Sequence, residues 1–334
     1  MDSADVLALI DELPGHRVAV IGDAIADEFV YGRVARVSRE APVLILEYDS
    51  TEVVPGGAGN AANNVAAIGG SALLAAVIGR DEPARRLLQS LHRGVNPRTV
   101  IRTPKRGTTI KTRILAGGIH SAKQQVVRID RVANGALDRA TRDAFLRAAL
   151  SAAMRSDAVL VSDYGGGLVS PVVVSRIRRE LKSAGHVVPI LVDSRYGLLR
   201  YSGLTACTPN ESEVEQALGI RINDDGRVLE RAGRMLLEQT KMQAVLITRG
   251  SRGMALFVPG EPTVHIPIFG SDEIADVTGA GDTVMATMAL ALAAGARFEL
   301  AARLANYAGG LVVMKRGTAT VSAAELREAV KRGA

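Results

Sequence analysis

Apolar positions along the chain fall into two rhythms. Short, nearly continuous runs rich in Val, Ile, Leu and Ala recur at residues 17–21, 72–77, 158–162, 188–192 and 244–248. Each gives way to a polar or glycine-containing turn and then to a stretch with helical spacing. Strands that are apolar on both faces and separated by helices predict an α/β fold, with a mainly parallel sheet covered on both sides. Ligands of such sheets bind beyond the carboxyl ends of the strands. Three acids, Asp23, Asp163 and Asp193, follow predicted strands.

Two segments break this rhythm. Residues 28–50 carry a β-type run at 43–47 with no helical partner. Residues 108–130 read as strands 109–115 and 125–129 around the turn Ala116-Gly117-Gly118. Both predict antiparallel excursions that build a small β lid, approximately 28–50 and 108–130, inserted discontinuously in one domain spanning 1–334. The runs 43–47 and 109–115 are expected to leave sheet edges that pair with something.

Composition narrows the function classes. The 334 residues are 47% apolar with a mean hydropathy of +0.15, enough for one large domain. The apolar run 284–294 is too short to cross ~30 Å of hydrocarbon, and the first residues lack the basic start of an export signal. The single cysteine, Cys207, fits a reducing cytoplasm and reads as a small buried residue. The net charge of +6 does not point to nucleic acid: Trp is absent, aromatics are 3%, and arginines such as Arg142, Arg147, Arg176, Arg178 and Arg179 are spread over helical segments. His16, His92, His120, His186 and His265 have no helical ligand spacing, so metal ligation by histidine is not expected.

The strongest chemical signal is Asp276-Val277-Thr278-Gly279-Ala280-Gly281-Asp282-Thr283, followed by a helical run. Closely spaced glycines let backbone N–H groups converge at a helix start, where the helix potential also favours an anion. Asp282 at that mouth is placed to accept a hydroxyl proton as the hydroxyl attacks a γ-phosphate. Taken alone, the same residues also suit an ordinary glycine turn capped by Asp282. Pro55-Gly56-Gly57-Ala58-Gly59-Asn60 offers close backbone approach and an amide for a polyol. Asp23 and Asp27 suit either hydroxyl binding or helix capping. Thr208-Pro209-Asn210-Glu211-Ser212-Glu213 reads as a helix start with a capping box, compatible with a carboxylate near Mg2+. Neither a P-loop nor a Gly-x-Gly-x-x-Gly after the first strand is present.

Together these motifs resemble the ribokinase/PfkB sugar-kinase family, whose signature is Asp-Thr-x-Gly-Ala-Gly-Asp; Val277 stands where Thr is commonest. The resemblance runs from Gly22 to about Ser322, in the family order. It implies a three-layer α/β/α sandwich with a β lid, and an ATP-dependent carbohydrate kinase. Asp282 is then the base, with the backbone of Gly279, Ala280 and Gly281 as the anion hole. Asp23, Asp27, Gly56, Gly57 and Asn60 would hold the sugar. Asn210, Ser212, Glu213, Thr248, Gly250, Gly253 and Asn306 would serve the nucleotide, with Glu213 reaching Mg2+ through water.

Within that family the chain is most similar to bacterial D-glycero-β-D-manno-heptose-7-phosphate kinases. The similarity rests on Ser38-Arg39-Glu40-Ala41-Pro42-Val43, Thr109-Ile110-Lys111-Thr112-Arg113, Gln124-Gln125-Val126-Val127-Arg128-Ile129-Asp130 and Ser162-Asp163-Tyr164. It implies phosphorylation of the anomeric hydroxyl on the way to ADP-heptose and lipopolysaccharide, a homodimer clasped through the lids, and substrate roles for Gln124 and Asp163. Many relatives carry a fused nucleotidyltransferase domain. The sequence to Ala334 leads us to expect a stand-alone kinase. A sugar phosphate needs cations, and Lys111 and Arg113 alternate on one predicted strand face with Arg128 on its partner. The family's usual Ser-Asp-Tyr-x-Lys-Gly reads here with Gly165-Gly166-Gly167, so Arg195 is the candidate for the missing cation. A kinase for another sugar or nucleoside, and a non-catalytic sugar-phosphate sensor, are the alternatives.

Overall fold

The computed structural model describes residues 3–117, 123–133, 137–270 and 276–333. Its main sheet has nine strands, in the order Val264–Ile266, Met254–Phe257, Ala244–Thr248, Ala206–Cys207, Ile190–Ser194, Ala158–Asp163, Arg17–Gly22, Ser71–Ala75 and Val95–Asn96. All neighbours from Ala244–Thr248 onward pair in parallel, while the first two strands are antiparallel additions. Alternate residues of one strand enter different cores: Val18 and Val20 lie on one side, Ala19 and Ile21 on the other. Helices Ala58–Ala67, Ala280–Ala293 and Phe298–Val313 cover the first face. Helices Arg139–Ala153, Pro171–Ser183 and Gly226–Thr240 cover the second. This is the expected three-layer sandwich.

Two predicted strands are redrawn. The run 72–77 splits, because Val77–Gly79 leaves the main sheet and pairs with Ile101–Thr103. The strand expected at 188–192 occupies Ile190–Ser194; Pro189 has no N–H to give a ladder, although its carbonyl accepts from Val159.

The lid is a separate four-stranded sheet, ordered Leu44–Gly57, Ala24–Val37, Thr109–Gly117 and Gln124–Arg131. Its first two strands are longer than the β runs suggested, and Ala24–Val37 begins with only Asp23 between it and the main-sheet strand that ends at Gly22. Ala24–Val37 pairs with Thr109–Gly117 in parallel, not antiparallel. Thr109–Gly117 is therefore internal, and among the described residues the free edges are Leu44–Gly57 and Gln124–Arg131. Gly118 of the predicted turn, and His120, lie outside the described residues. The register sets Lys111 beside Asp27 and opposite Asp130, and Arg113 beside Phe29 and opposite Arg128.

Asp23 is the single residue between the main-sheet strand and the lid strand. Its N–H donates to the Ser162 carbonyl and its own carbonyl accepts from Ala58 N–H. The lid, the Ala58–Ala67 helix and the strand bearing Asp163 thus meet at one point, beyond the carboxyl ends of the sheet.

Candidate active site

Helix Ala280–Ala293 is buried along almost its whole length, which explains why it is apolar all round. Its buried hydroxyls bond back into the helix, Thr283 to the Gly279 carbonyl and Thr287 to the Thr283 carbonyl. Gly279 precedes it with φ 78°, and among the described residues no side chain caps the first turn. The N–H groups of Gly281 and Asp282 have no acceptor among the described residues, so they are open to an anion.

Asp282 faces the same opening. Its Oδ2 accepts from Asn60 Nδ2 at 2.9 Å, and its Oδ1 accepts from the Tyr164 hydroxyl at 3.0 Å. Burial pushes this carboxyl up to about 7, against the two hydrogen bonds that favour its charge; Asp27 raises it further and Lys111 lowers it. A carboxyl with that balance can take up and release a proton near neutral pH.

Two glycines shape the surroundings by what they lack. A Cβ on Gly56 would stand 2.3 Å from Asp27 Oδ2, and one on Gly279 would stand 2.5 Å from Asn60 Nδ2. Close approach of Asp27 and Asn60 to the site therefore requires glycine.

A cavity of about 440 Å³ opens beside Asp282. Gly279, Ala280, Gly281, Asp163 and Arg195 line it near Asp282. Asn210, Glu213, Thr248, Gly250, Gly253 and Asn306 also line it, together with the apolar Met254, Ile268, Val284 and Val313. Asn210 and Glu213 make the expected capping box, and Thr248 N–H donates to the Pro209 carbonyl. Glu211 binds Arg249 at 2.8 Å and also pairs with Arg252, tying the helix start to the Gly250–Arg252 turn.

A sequence profile described as pfkB family carbohydrate kinase matches residues 16–325. The chain belongs to this family. Its members are phosphotransferases that act on a sugar hydroxyl and use ATP. The chain is 40% identical to the bifunctional protein HldE of Geobacter metallireducens over 331 residues, covering 98% of this chain and 65% of that protein. It is 42% identical to the bifunctional protein HldE of Caulobacter vibrioides over 317 residues, covering 93% and 63%. The chain thus spans about two thirds of the length of these curated relatives. Among solved structures, Arabidopsis thaliana ribokinase complexed with ribose and ATP superposes with a TM-score of 0.70 at 20% identity, covering 96% of this chain and 98% of that one. Phosphofructokinase-2 from Escherichia coli in complex with substrates and products gives 0.73 at 18%, covering 95% and 98%. At these identities the likeness is one of fold.

For a pfkB family kinase, the remaining expected residues divide instructively. Asp27 accepts from Arg113 at 2.7 Å and from Thr318 Oγ1 at 3.2 Å, and lies close enough to Asp282 to perturb it. Asp23 instead spends Oδ2 on the N–H groups of Tyr164 and Gly166, holding a loop. Asp163 is similarly occupied, by the hydroxyls of Tyr201 and Ser194. Asn60 is 1% exposed, with Oδ1 taken by Asn64 and Nδ2 by Asp282. Of the lid cations, Lys111 is half-buried and reaches inward, its Nζ 4.7 Å from the Tyr164 ring centroid. Arg113 is committed to Asp27, Arg128 pairs with Asp130 on the exposed strand, and Gln124 is exposed. Gly57 packs against the Asp23 carbonyl, and Ser212 is exposed outside the cavity.

Gly166 cannot simply be exchanged for lysine here, since a Cβ would lie 2.5 Å from Asp23 Oδ1. Two residues given no site role by sequence reasoning also line the cavity. Tyr164 was visible only as part of a motif, and Asp193 only as a third acid after a strand. Burial, with the charges of Asp282 and Glu213, pushes the Asp193 carboxyl well up, and burial raises Glu213 as well. That surplus of negative charge suits a divalent cation. Among the described residues no three ligating side chains cluster, so Mg2+ would take most of its shell from water and nucleotide phosphates.

Proposed function

We propose that the chain catalyses ATP-dependent phosphorylation of the anomeric hydroxyl of D-glycero-β-D-manno-heptose 7-phosphate, giving the 1,7-bisphosphate for ADP-heptose and lipopolysaccharide core synthesis in the cytoplasm. The observation that carries this reading is the buried Asp282 beside two open N–H groups, with a lid lysine above it. Similarity to the HldE proteins over nearly the whole chain supports the choice of sugar.

In this reading Asp282 takes the proton of the attacking hydroxyl, and the N–H groups of Gly281 and Asp282 hold the charge that develops on the transferred phosphoryl. Asp27, kept in place by Arg113 and Gly56, accepts sugar hydroxyls. Lys111 neutralises the distal phosphate. Asn210, Thr248, Gly250, Gly253 and Asn306 border the nucleotide, whose base lies among Met254, Ile268, Val284 and Val313. Mg2+ near Glu213 and Asp193 would neutralise the phosphates when bound. Asn60 acts by positioning Asp282.

The lid also supports a homodimer. Its free edge strands carry exposed apolar residues, including Leu44 at 47%, Tyr48 at 67% and Val127 at 48%, a combination that favours pairing with a second lid.

One observation favours a different acceptor: Gly166 replaces the lysine usual in the heptose-phosphate kinases. The test is ADP release with ATP across phosphorylated and free sugars and nucleosides, for the wild type and Lys111→Ala. Heptose 7-phosphate should be preferred, and Lys111→Ala should lose about ten- to a hundredfold more in kcat/KM on that sugar than on free sugars. Equal use of phosphorylated and free sugars by the wild type would replace this substrate with an unphosphorylated one.

A further inference from the structure

Tyr164 stands directly after strand Ala158–Asp163, on a loop held by three hydrogen bonds to Asp23 and Arg106. Its own N–H donates to Asp23 Oδ2 at 2.9 Å, and Gly166 N–H donates to the same atom at 3.1 Å. Arg106 closes the loop from outside, its guanidinium donating to the Gly166 carbonyl at 2.7 Å. The ring that emerges is a fixed platform with two contacts. Its hydroxyl donates to Asp282 Oδ1 at 3.0 Å, and its face carries the lid's Lys111 at 4.7 Å.

We infer that Tyr164 is a positioning residue of this kinase: its hydroxyl holds the Asp282 carboxylate ionised and oriented, and its ring ties that carboxylate to the lid through Lys111. The inference rests on the reading of Asp282 as the base. Asp282 is gripped at both oxygens by donors from separate parts of the chain, Asn60 on helix Ala58–Ala67 and Tyr164 on the loop. Burial works against the charged carboxylate, so each donor counts toward keeping it ionised. The charged groups facing the pair are Asp27 and Lys111 from the lid and Asp193 from strand Ile190–Ser194, with Glu213 beyond Asp193. Helix Ala280–Ala293 adds only the neutral Thr283 and Thr287 among its buried polar neighbours. Burial and the adjacent carboxylates push the Tyr164 hydroxyl well up, so it remains a donor wherever Asp282 is ionised. The ammonium on the ring face means that a shift of strand Thr109–Gly117 is felt at Tyr164 and hence at the base.

The test is the pH dependence of kcat/KM for the wild type, Tyr164→Phe and Asp282→Asn with one sugar acceptor and ATP. The wild type should gain activity as pH rises through about 7, where Asp282 ionises. Losing one hydrogen bond to a charged acceptor should move that midpoint up by about one to two pH units in Tyr164→Phe, with activity recovered at alkaline pH. A midpoint unchanged from the wild type, with the rate lowered equally at every pH, would overturn the inference. Should Tyr164→Phe fail to fold, uniform replacement of tyrosine by 3-fluorotyrosine gives a stronger donor at this position. The midpoint should then move down, and an unmoved midpoint overturns the inference equally. Asp282→Asn separates the two ideas. If it is as active as the wild type, the base is misassigned; if it is inactive while Tyr164→Phe keeps the wild-type midpoint, only the role of Tyr164 is wrong.

Discussion

Replacing Arg113 with alanine separates stability from substrate binding among the lid cations. The Arg113 guanidinium donates to Asp27 Oδ1 at 2.7 Å, with side chains only 10% and 7% exposed, and it lies 5.4 Å from the Phe29 ring centroid. Truncation leaves Asp27 buried with one neutral donor, Thr318, at 3.2 Å. Removing one partner of a buried ion pair costs about 3–5 kcal/mol, because the other charge is stranded. Arg128 is the control: it is 45% exposed beside an Asp130 that is 33% exposed, so its loss should cost no more than about 1 kcal/mol. Lys111 makes no ion pair among the described residues, and burial already lowers the pKa of its ammonium, so Lys111→Ala should leave stability nearly intact. Urea unfolding of the three alanine variants, followed by far-ultraviolet circular dichroism, measures the difference. Arg113→Ala should also lose activity on phosphorylated and free sugars alike, since Asp27 loses its place. An Arg113→Ala protein within about 1 kcal/mol of the wild type would refute the reasoning.

Three further outcomes are expected. Glu213→Gln should raise the Mg2+ concentration needed for half-maximal activity without changing sugar affinity; an unaltered magnesium titration counts against the assignment. Gly56→Ala, which drives a Cβ to 2.3 Å from Asp27 Oδ2, should weaken sugar binding and spare ATP binding, as calorimetry with each ligand would show. Light scattering at micromolar concentration should give a dimer mass, and a charged substitution at Leu44 or Val127 should reduce it; a wild-type monomer would remove the lid-to-lid clasp.

The parallel sheet and its covering helices were legible because strands buried on both faces need unbroken apolar runs, and 17–21 and 244–248 supply them. The glycine-flanked Asp282 was legible because converging N–H groups demand that local composition. Pairing inside the lid was not. Ala24–Val37 and Thr109–Gly117 are far apart in sequence, and no local signal separates a parallel neighbour from an antiparallel one. Side-chain commitment was hidden for the same reason. Lys111 and Arg113 look alike on an alternating strand, yet Arg113 is consumed by Asp27 while Lys111 reaches Tyr164. The sequence offers Asp23 and Asp27 alike as hydroxyl-binding acids, and Asp23 is the one that directly follows a main-sheet strand. In the fold that position makes Asp23 the junction of main sheet and lid, its carboxylate binding the 164–166 loop, and Asp27 is the acid near Asp282.

The central claim is that Asp282 is the base of a sugar kinase. Its most direct test is the rate of ADP formation from ATP and heptose 7-phosphate by Asp282→Asn, with nucleotide and sugar affinities measured on the same preparation. The substitution keeps the shape of the side chain and removes its basicity. The account predicts a fall in kcat of about 10²–10⁴-fold with both affinities retained. Turnover within a few-fold of the wild type, in a folded protein that binds both substrates, would contradict it.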